Sequence, residues 1–265
     1  MINRIVDLIV GIADIHVGHP AAPWPDNYHT PEGNHIKPNK AQQVLGDYWT
    51  DFWNKPEVRE AKYIFNLEES IEGYSKKEHG RSMLVTDLNE QATAFKLLLE
   101  PHIKGKKYIG VEGSKYHGSE DVLMGQEVCK LFKGHYCGHI GNIQLKKSKK
   151  IIQILHKGMG AVLYKASALD RYSLYTSAIK TKVHVDPDLI LMGHGHQYFG
   201  TMTPTRQVHQ LPSWKFWHPI KDASRYPFTQ PTIGGLVVKV MENGRIYCDV
   251  HSYPLVHVYD ALVEM

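Results

Sequence analysis

The segment Asp186-Pro187-Asp188-Leu189-Ile190-Leu191-Met192-Gly193-His194-Gly195-His196 constrains this chain more than any other. A polar turn leads into four apolar residues, the pattern of a short strand buried on both faces. The strand stops at two histidines with one glycine between them. Residues two apart in a strand point the same way, and the glycines are expected to let the following turn fold so that both rings converge. Two converging neutral imidazoles suit a divalent transition metal. The rest of the chain is read as bringing further ligands to this place.

The same order of elements recurs upstream. Arg4 to Asp14 reads as a first strand, apolar from Leu8 to Ile12, and it ends at Asp14-Ile15-His16-Val17-Gly18-His19. Asp14 and His16 are expected on one side of that strand end, a carboxylate and an imidazole at metal-ligand spacing. Ala61 to Phe65 predicts a second buried strand that stops at Asn66-Leu67-Glu68-Glu69-Ser70-Ile71-Glu72-Gly73. Its three carboxylates are a candidate third ligand group. A third strand, Tyr108 to Val111, leads into Glu112-Gly113-Ser114-Lys115-Tyr116-His117. A hairpin from Asn142 to His156 turns through Lys146-Lys147-Ser148-Lys149-Lys150 and again ends in a histidine.

Connecting segments fill the spaces between these strands. Residues 20 to 38 read as a long loop, and Lys40 to Trp53 as a helix with a core stripe of Val44, Leu45, Tyr48, Trp49, Phe52 and Trp53. Asp87 with Glu90 predicts a capping box that opens a helix through Ala94, Leu97 and Leu99. Ser119 is expected to cap a helix carrying Val122, Leu123, Val128 and Leu131, which ends at Gly134. Residues 170 to 182 read as helical. Thr201 to Leu211 and Gly234 to Val240 read as strands, with Glu242-Asn243-Gly244 as a hairpin turn.

In sequence order these motifs resemble the calcineurin-like metallophosphoesterase superfamily, whose pattern is D-x-H, G-D, G-N-H, a lone H and G-H-x-H. The resemblance covers residues 5 to 200, and its specific parts are Asp14-Ile15-His16 and Gly193 to His196. Phage and prophage phosphoesterases are the relatives it suggests. It implies an α/β fold, a four-layer α/β/β/α sandwich of mixed sheets, in one domain spanning residues 1–265. It also implies two divalent metal ions: Asp14, His16 and His196 on one, His156 and His194 on the other, with Glu69 as the bridge. Glu69 stands where the family has aspartate, and Glu68 is an alternative register. Ser114 stands at the family's asparagine, and His117, two residues late, is expected as the catalytic histidine. The activity implied is phosphodiester hydrolysis by a hydroxide held between the metals, a nuclease being the narrower reading. A phosphomonoesterase, or a weakened binding protein on the same fold, stays open. Mixed carboxylate and imidazole donors accept Mn²⁺, Fe²⁺ or Zn²⁺.

Composition limits partners more than chemistry. With 31 Lys+Arg against 27 Asp+Glu the net charge is only +4, so anionic partners are permitted rather than demanded. Phosphate contacts are expected from Ser114, Arg81 and Lys157. The basic turn at Lys146 to Lys150 and the segment Trp214-Lys215-Phe216-Trp217-His218 could meet DNA or RNA, the first through backbone charge and the second by stacking. Three cysteines, Cys129, Cys137 and Cys248, form no paired motif, which suits a reducing, cytoplasmic setting. The apolar run from Ile5 to Ile12 is too short to span a membrane and has no cleavage pattern of a signal peptide.

Overall fold

The computed structural model describes residues 4–74, 83–117, 122–157, 165–183, 185–203, 206–216 and 230–255. In chain order its first half contains β1 (Ile5–Ile12), α1 (Lys40–Asn54), α2 (Pro56–Glu60), β2 (Tyr63–Asn66), α3 (Leu88–Ile103), β3 (Lys107–Gly110), α4 (Met124–Leu131) and β4 (His135–Tyr136). There follow β5 (Ile140–Gln144), β6 (Ile151–Leu155), α5 (Lys165–Val183), β7 (Leu189–Met192), β8 (Phe199–Met202), β9 (Gln207–Gln210), β10 (Ile233–Met241) and β11 (Ile246–Tyr253).

Two sheets form, in the strand orders β11-β10-β1-β2-β3-β4 and β5-β6-β7-β9-β8. β1 shows why they stack. Its Leu8, Val10 and Ile12 join the cluster under the helices, while Ile9 points to the other face. There Ile9 packs with Phe65, Ile109, Leu236 and Val238 of its own sheet and with Ile152, Ile154, Leu189 and Leu191 of the second. α1, α3 and α4 cover the outside of the first sheet through Leu45, Trp49, Phe52, Phe95, Leu99 and Val128. α5 covers the outside of the second, Leu169 lying among Leu155, Ile190, Met192 and Val208. The layers therefore run α/β/β/α, with mixed sheets, as expected. No helix among the described residues is long and apolar enough to cross a membrane.

Several local expectations need correction. Asp87 does cap α3, accepting from the N–H groups of Asn89 and Glu90, but Glu90 does not reach back. Its carboxylate accepts the Tyr28 hydroxyl at 2.7 Å instead. α4 starts at Met124 after Leu123, which makes no side-chain cap bond. Val122 and Leu123 are exposed ahead of the helix, and Ser119 lies outside the described residues. Thr201 to Leu211 is not one strand. It divides into antiparallel β8 and β9, closed by the Thr203 N–H donating to the Arg206 carbonyl at 2.9 Å. Trp214 and Phe216 are 0% and 2% exposed, so they are core rather than stacking surface. Trp217 and His218 lie outside the described residues.

Candidate metal centre

β1, β2 and β3 run parallel to one another, as do β6 and β7. Their carboxyl ends therefore share one edge of the sandwich, the edge at which open α/β sheets build sites. Every ligand named from sequence lies just past one of these ends.

Backbone conformation brings the ligands together. Asp14 and His16 follow β1 at φ 53° and 56°, Glu68 and Glu69 follow β2 at 68° and 56°, and His194 and His196 follow β7 at 71° and 55°. These are six of the eight non-glycine residues with positive φ among those described. The left-handed region costs such residues about 1–2 kcal/mol each, and strain of this kind gathers at functional sites. Convergence thus comes from left-handed residues in the turns, not from a shared pleat. The glycines also act differently from expectation. Gly193 and Gly195 keep negative φ and supply room: a Cβ on Gly195 would sit 1.7 Å from Gln210 Nε2, and one on Gly193 2.9 Å from the Leu67 carbonyl oxygen. Main-chain bonds hold the first two turns against each other. The N–H groups of Asp14, His16 and Val17 donate to the carbonyls of Glu68, Glu69 and Ser70 at 2.9, 2.8 and 2.9 Å.

Two donor groups result. His16 Nε2 and His196 Nε2 lie 3.1 Å apart, with Asp14 Oδ1 at 3.9 and 3.6 Å from them. His156 Nε2 lies 3.1 Å from His194 Nδ1 and 3.1 Å from Glu69 Oε1. Glu69 also offers a donor atom within 4.8 Å of donors on His16 and His117, so it adjoins both groups. Two nitrogens held at about 2.1 Å by one ion sit about 3.0 Å apart at octahedral angles and about 3.4 Å apart at tetrahedral ones, a range that includes the 3.1 Å of both histidine pairs. Asp14 Oδ2 accepts the His194 N–H at 2.7 Å, while its Oδ1 is buried with no hydrogen-bond partner. A buried carboxylate oxygen without a partner is costly, and a cation would satisfy it. The donor set fits divalent metal.

Burial and neighbouring charge set the protonation states. Burial, then Lys215 and His117, hold His16 well below its usual value. Burial also pushes His194 down to about 4, helped by His156 and Lys157, and His196 down to about 3, helped by Lys215 and His117. Three neutral imidazoles follow, whereas at His156 burial is outweighed by the hydrogen bond and charge of Glu69, which raise it to about 9. Burial alone would raise Glu69, but the His156 hydrogen bond, with the neighbouring His117 and the His156 charge, outweighs it and keeps the carboxylate ionised. Burial lifts Asp14 to about 7 against the pull of His156.

A second layer of contacts orients these groups. His156 Nδ1 meets the Leu67 carbonyl at 2.8 Å, which turns Nε2 toward the donors. His16 Nδ1 lies 2.8 Å from Glu72 Oε2, close though not in line for a hydrogen bond. The same oxygen accepts from Lys215 Nζ at 2.9 Å. His117 Nδ1 meets the Glu72 main-chain carbonyl at 2.6 Å, and the His117 ring lies 4.7 Å from that of His16. Sequence reasoning missed this role of Glu72 and Lys215. The two are 143 residues apart and no motif links them.

The remaining expected residues divide. His117 reaches the cluster. Ser114 touches it through its backbone, the N–H donating to Glu69 Oε1 at 2.6 Å, while its Oγ is buried without a partner. Lys157 is exposed beside His156. Glu68 belongs to neither donor group: its Oε1 accepts the Ser70 N–H at 3.1 Å, and burial lifts it to about 8. Arg81 lies outside the described residues. The basic turn of Lys146 to Lys150 precedes β6 whereas His156 follows it, so the turn stands at the opposite end of the sandwich.

No protein-family model and no curated protein sequence matches the chain. Solved structures do resemble it. An archaeal phosphodiesterase is 10% identical with a TM-score of 0.47, the match covering 92% of this chain and 99% of that one. Vacuolar protein sorting 29 from Cryptosporidium parvum is 9% identical with a TM-score of 0.45, covering 94% and 99%. Zinc-complexed Vps29 from Entamoeba histolytica is 13% identical with a TM-score of 0.43, covering 93% and 99%. Each is a likeness of overall fold.

Proposed function

We propose that this chain is a metal-dependent phosphoesterase that cleaves phosphodiester bonds. In this reading Asp14, His16 and His196 would hold one divalent cation and His156 and His194 a second, with the Glu69 carboxylate available to both. One observation carries it: two histidine pairs, each at co-ligand spacing, share a single buried carboxylate on one sheet edge. When bound, such a pair of cations supplies water acidic enough to attack at neutral pH and positive charge for the phosphate oxygens.

The chain's own residues do the rest. The neutral rings of His16, His194 and His196 present lone pairs without first losing a proton. His117 is fixed through Nδ1 on the Glu72 carbonyl, which leaves Nε2 as the nitrogen free to meet a phosphate oxygen or protonate a departing one. Lys157, exposed beside His156, adds a cation within reach of an anionic substrate. The donor set accepts Mn²⁺, Fe²⁺ or Zn²⁺.

The test is turnover of bis-p-nitrophenyl phosphate and of single-stranded DNA by protein loaded with Mn²⁺, together with metal analysis. Turnover of both substrates is expected, with the nuclease as the narrower form of the reading. Turnover of a monoester alone points instead to a phosphomonoesterase. Less than about one metal per chain with no turnover points to a binding protein. His196→Ala is expected to lose metal, and His117→Ala to lose rate with metal retained.

A further inference from the structure

The end of the sandwich opposite the metal centre carries a surface that the proposed chemistry leaves unused. Lys150 and His156 bracket β6, which at about 3.3 Å per residue puts them about 20 Å apart. Lys62 and Lys107 lie at the starts of β2 and β3, joined through the Lys107 N–H donating to the Lys62 carbonyl at 2.8 Å. The turn between β5 and β6 adds Lys146, Lys147 and Lys149. It leans onto the first sheet, where the Ser148 N–H donates to Asp7 Oδ2 at 3.1 Å. Lys150 Cε lies 3.5 Å from the position a Cβ would take on Gly244, one residue before Arg245. Both sheets thus place their cations on one continuous end.

These six cations, Lys62, Lys107, Lys146, Lys147, Lys149 and Arg245, are all exposed. None forms an ion pair with any described residue. Lys150, beside them, is held by Asp188 at 2.7 Å. Of the buried acids, Asp14, Glu68, Glu69, Glu72 and Glu112 follow the carboxyl ends of β1, β2 and β3, and Asp7 alone lies toward this rim, where it accepts the Ser148 N–H. Against a net charge of only +4, this end gathers six exposed cations that have no ion pair among the described residues. Cations gathered without partners repel one another, and a polyanion relieves that repulsion. Tyr247, 45% exposed and two residues beyond Arg245, adds a ring on which a base can stack.

We propose that this amino-terminal rim of the two sheets binds the phosphate backbone of single-stranded nucleic acid, without sequence preference and separately from the metal centre. It would tether a nucleic acid while the opposite edge stays open. The test is fluorescence anisotropy of a labelled phosphorothioate oligothymidine with the purified protein, titrated between about 50 and 200 mM salt. Binding is expected to weaken steeply with salt. Lys146→Glu with Lys147→Glu is expected to weaken it at least tenfold and to lower the salt slope by about two, one per lysine. Lys62→Glu with Lys107→Glu, on different elements, is expected to do the same. Bis-p-nitrophenyl phosphate turnover should stay unchanged in both variants, which separates this surface from the metal chemistry. Absence of binding at the lowest salt, wild-type affinity in both double variants, or sedimentation with phosphatidylserine vesicles but no oligonucleotide binding would each overturn the proposal.

Discussion

Glu72→Gln is the sharpest perturbation the site offers, because it changes charge and almost nothing else. The carboxylate is buried, lies 2.8 Å from His16 Nδ1 and accepts from Lys215 Nζ at 2.9 Å. Glutamine fills the same volume. It removes the anion that draws the Nδ1 proton of His16, so the tautomer with Nε2 free for a cation loses its bias. It also leaves the Lys215 ammonium, only 14% exposed, facing a neutral amide close to the donors. Both effects oppose cation binding. Loss of a partner that orients a metal-binding histidine typically costs 10- to 100-fold in affinity, which is about 1.4 to 2.7 kcal/mol.

The assay is competition with a chelating dye for Mn²⁺ or Zn²⁺, reading dissociation constant and stoichiometry together. Glu72→Gln is expected to keep both sites but weaken them within that range. Lys215→Gln added to it should recover part of the loss, since the unbalanced cation goes too. Turnover at saturating metal should fall less than affinity, because His117 rests on the Glu72 main chain rather than its side chain. Affinity within about twofold of wild type, alongside metal loss in His196→Ala, would refute the reasoning about Glu72 while leaving the site itself standing.

Three other outcomes follow from the packing. Gly73 has φ 69°, and a Cβ there would lie 1.5 Å from the His117 carbonyl oxygen, so Gly73→Ala must move the His117 loop. Turnover is expected to fall at least about tenfold with metal content unchanged; equal rates would mean that His117 needs no fixed position. Trp214→Ala is expected to lose about 3–5 kcal/mol in urea unfolding, since the ring is fully buried and lies 4.8 Å from Trp49. A change near zero would restore the exposed stacking role. Burial lowers His209 from 6.5 to about 4, so its contribution is present above the unfolded value and is lost as pH falls from about 6.5 through 4. That amounts to about 3 kcal/mol, and His209→Gln should flatten the acid limb of the stability profile by that amount. Superimposable profiles for the two proteins would remove His209 from the acid response.

Periodicity made the strands and most helices legible, because burial on two faces leaves an unbroken apolar run such as Leu189 to Met192. The order of the clustered side chains was legible for the same reason: polar donors stand out directly after such runs. What failed was anything set by a torsion sign or a distant partner. The sequence of Asp14 to His16 says nothing of φ, and Gly193 and Gly195 read as hinges where they only clear space. The reach of Lys215 to Glu72 depends on the chain crossing between sheets after Leu211, which pattern reading does not see. Trp214 and Phe216 misled because an aromatic segment reads alike in a core and on a binding surface. Glu90 missed its capping partner because Tyr28, far away in sequence, competes for the same carboxylate.

The left-handed residues also weigh on the choice between enzyme and inert scaffold. Asp14, His16, Glu68, Glu69, His194 and His196 together hold strain that is a sizeable part of the about 5–15 kcal/mol by which a domain is ordinarily stable. Glycine or asparagine at these positions would relieve it without disturbing the ladder between the Asp14 and Glu68 turns. Selection for stability alone has an easy route there. Asp14 Oδ1 adds a second uncompensated cost, a buried carboxyl oxygen with no donor. A scaffold gains nothing from either. A cation would satisfy the orphan oxygen and offset strain at the five residues that present donors, Glu68 being the exception. Strain and the orphan atom therefore point to metal binding independently of any motif.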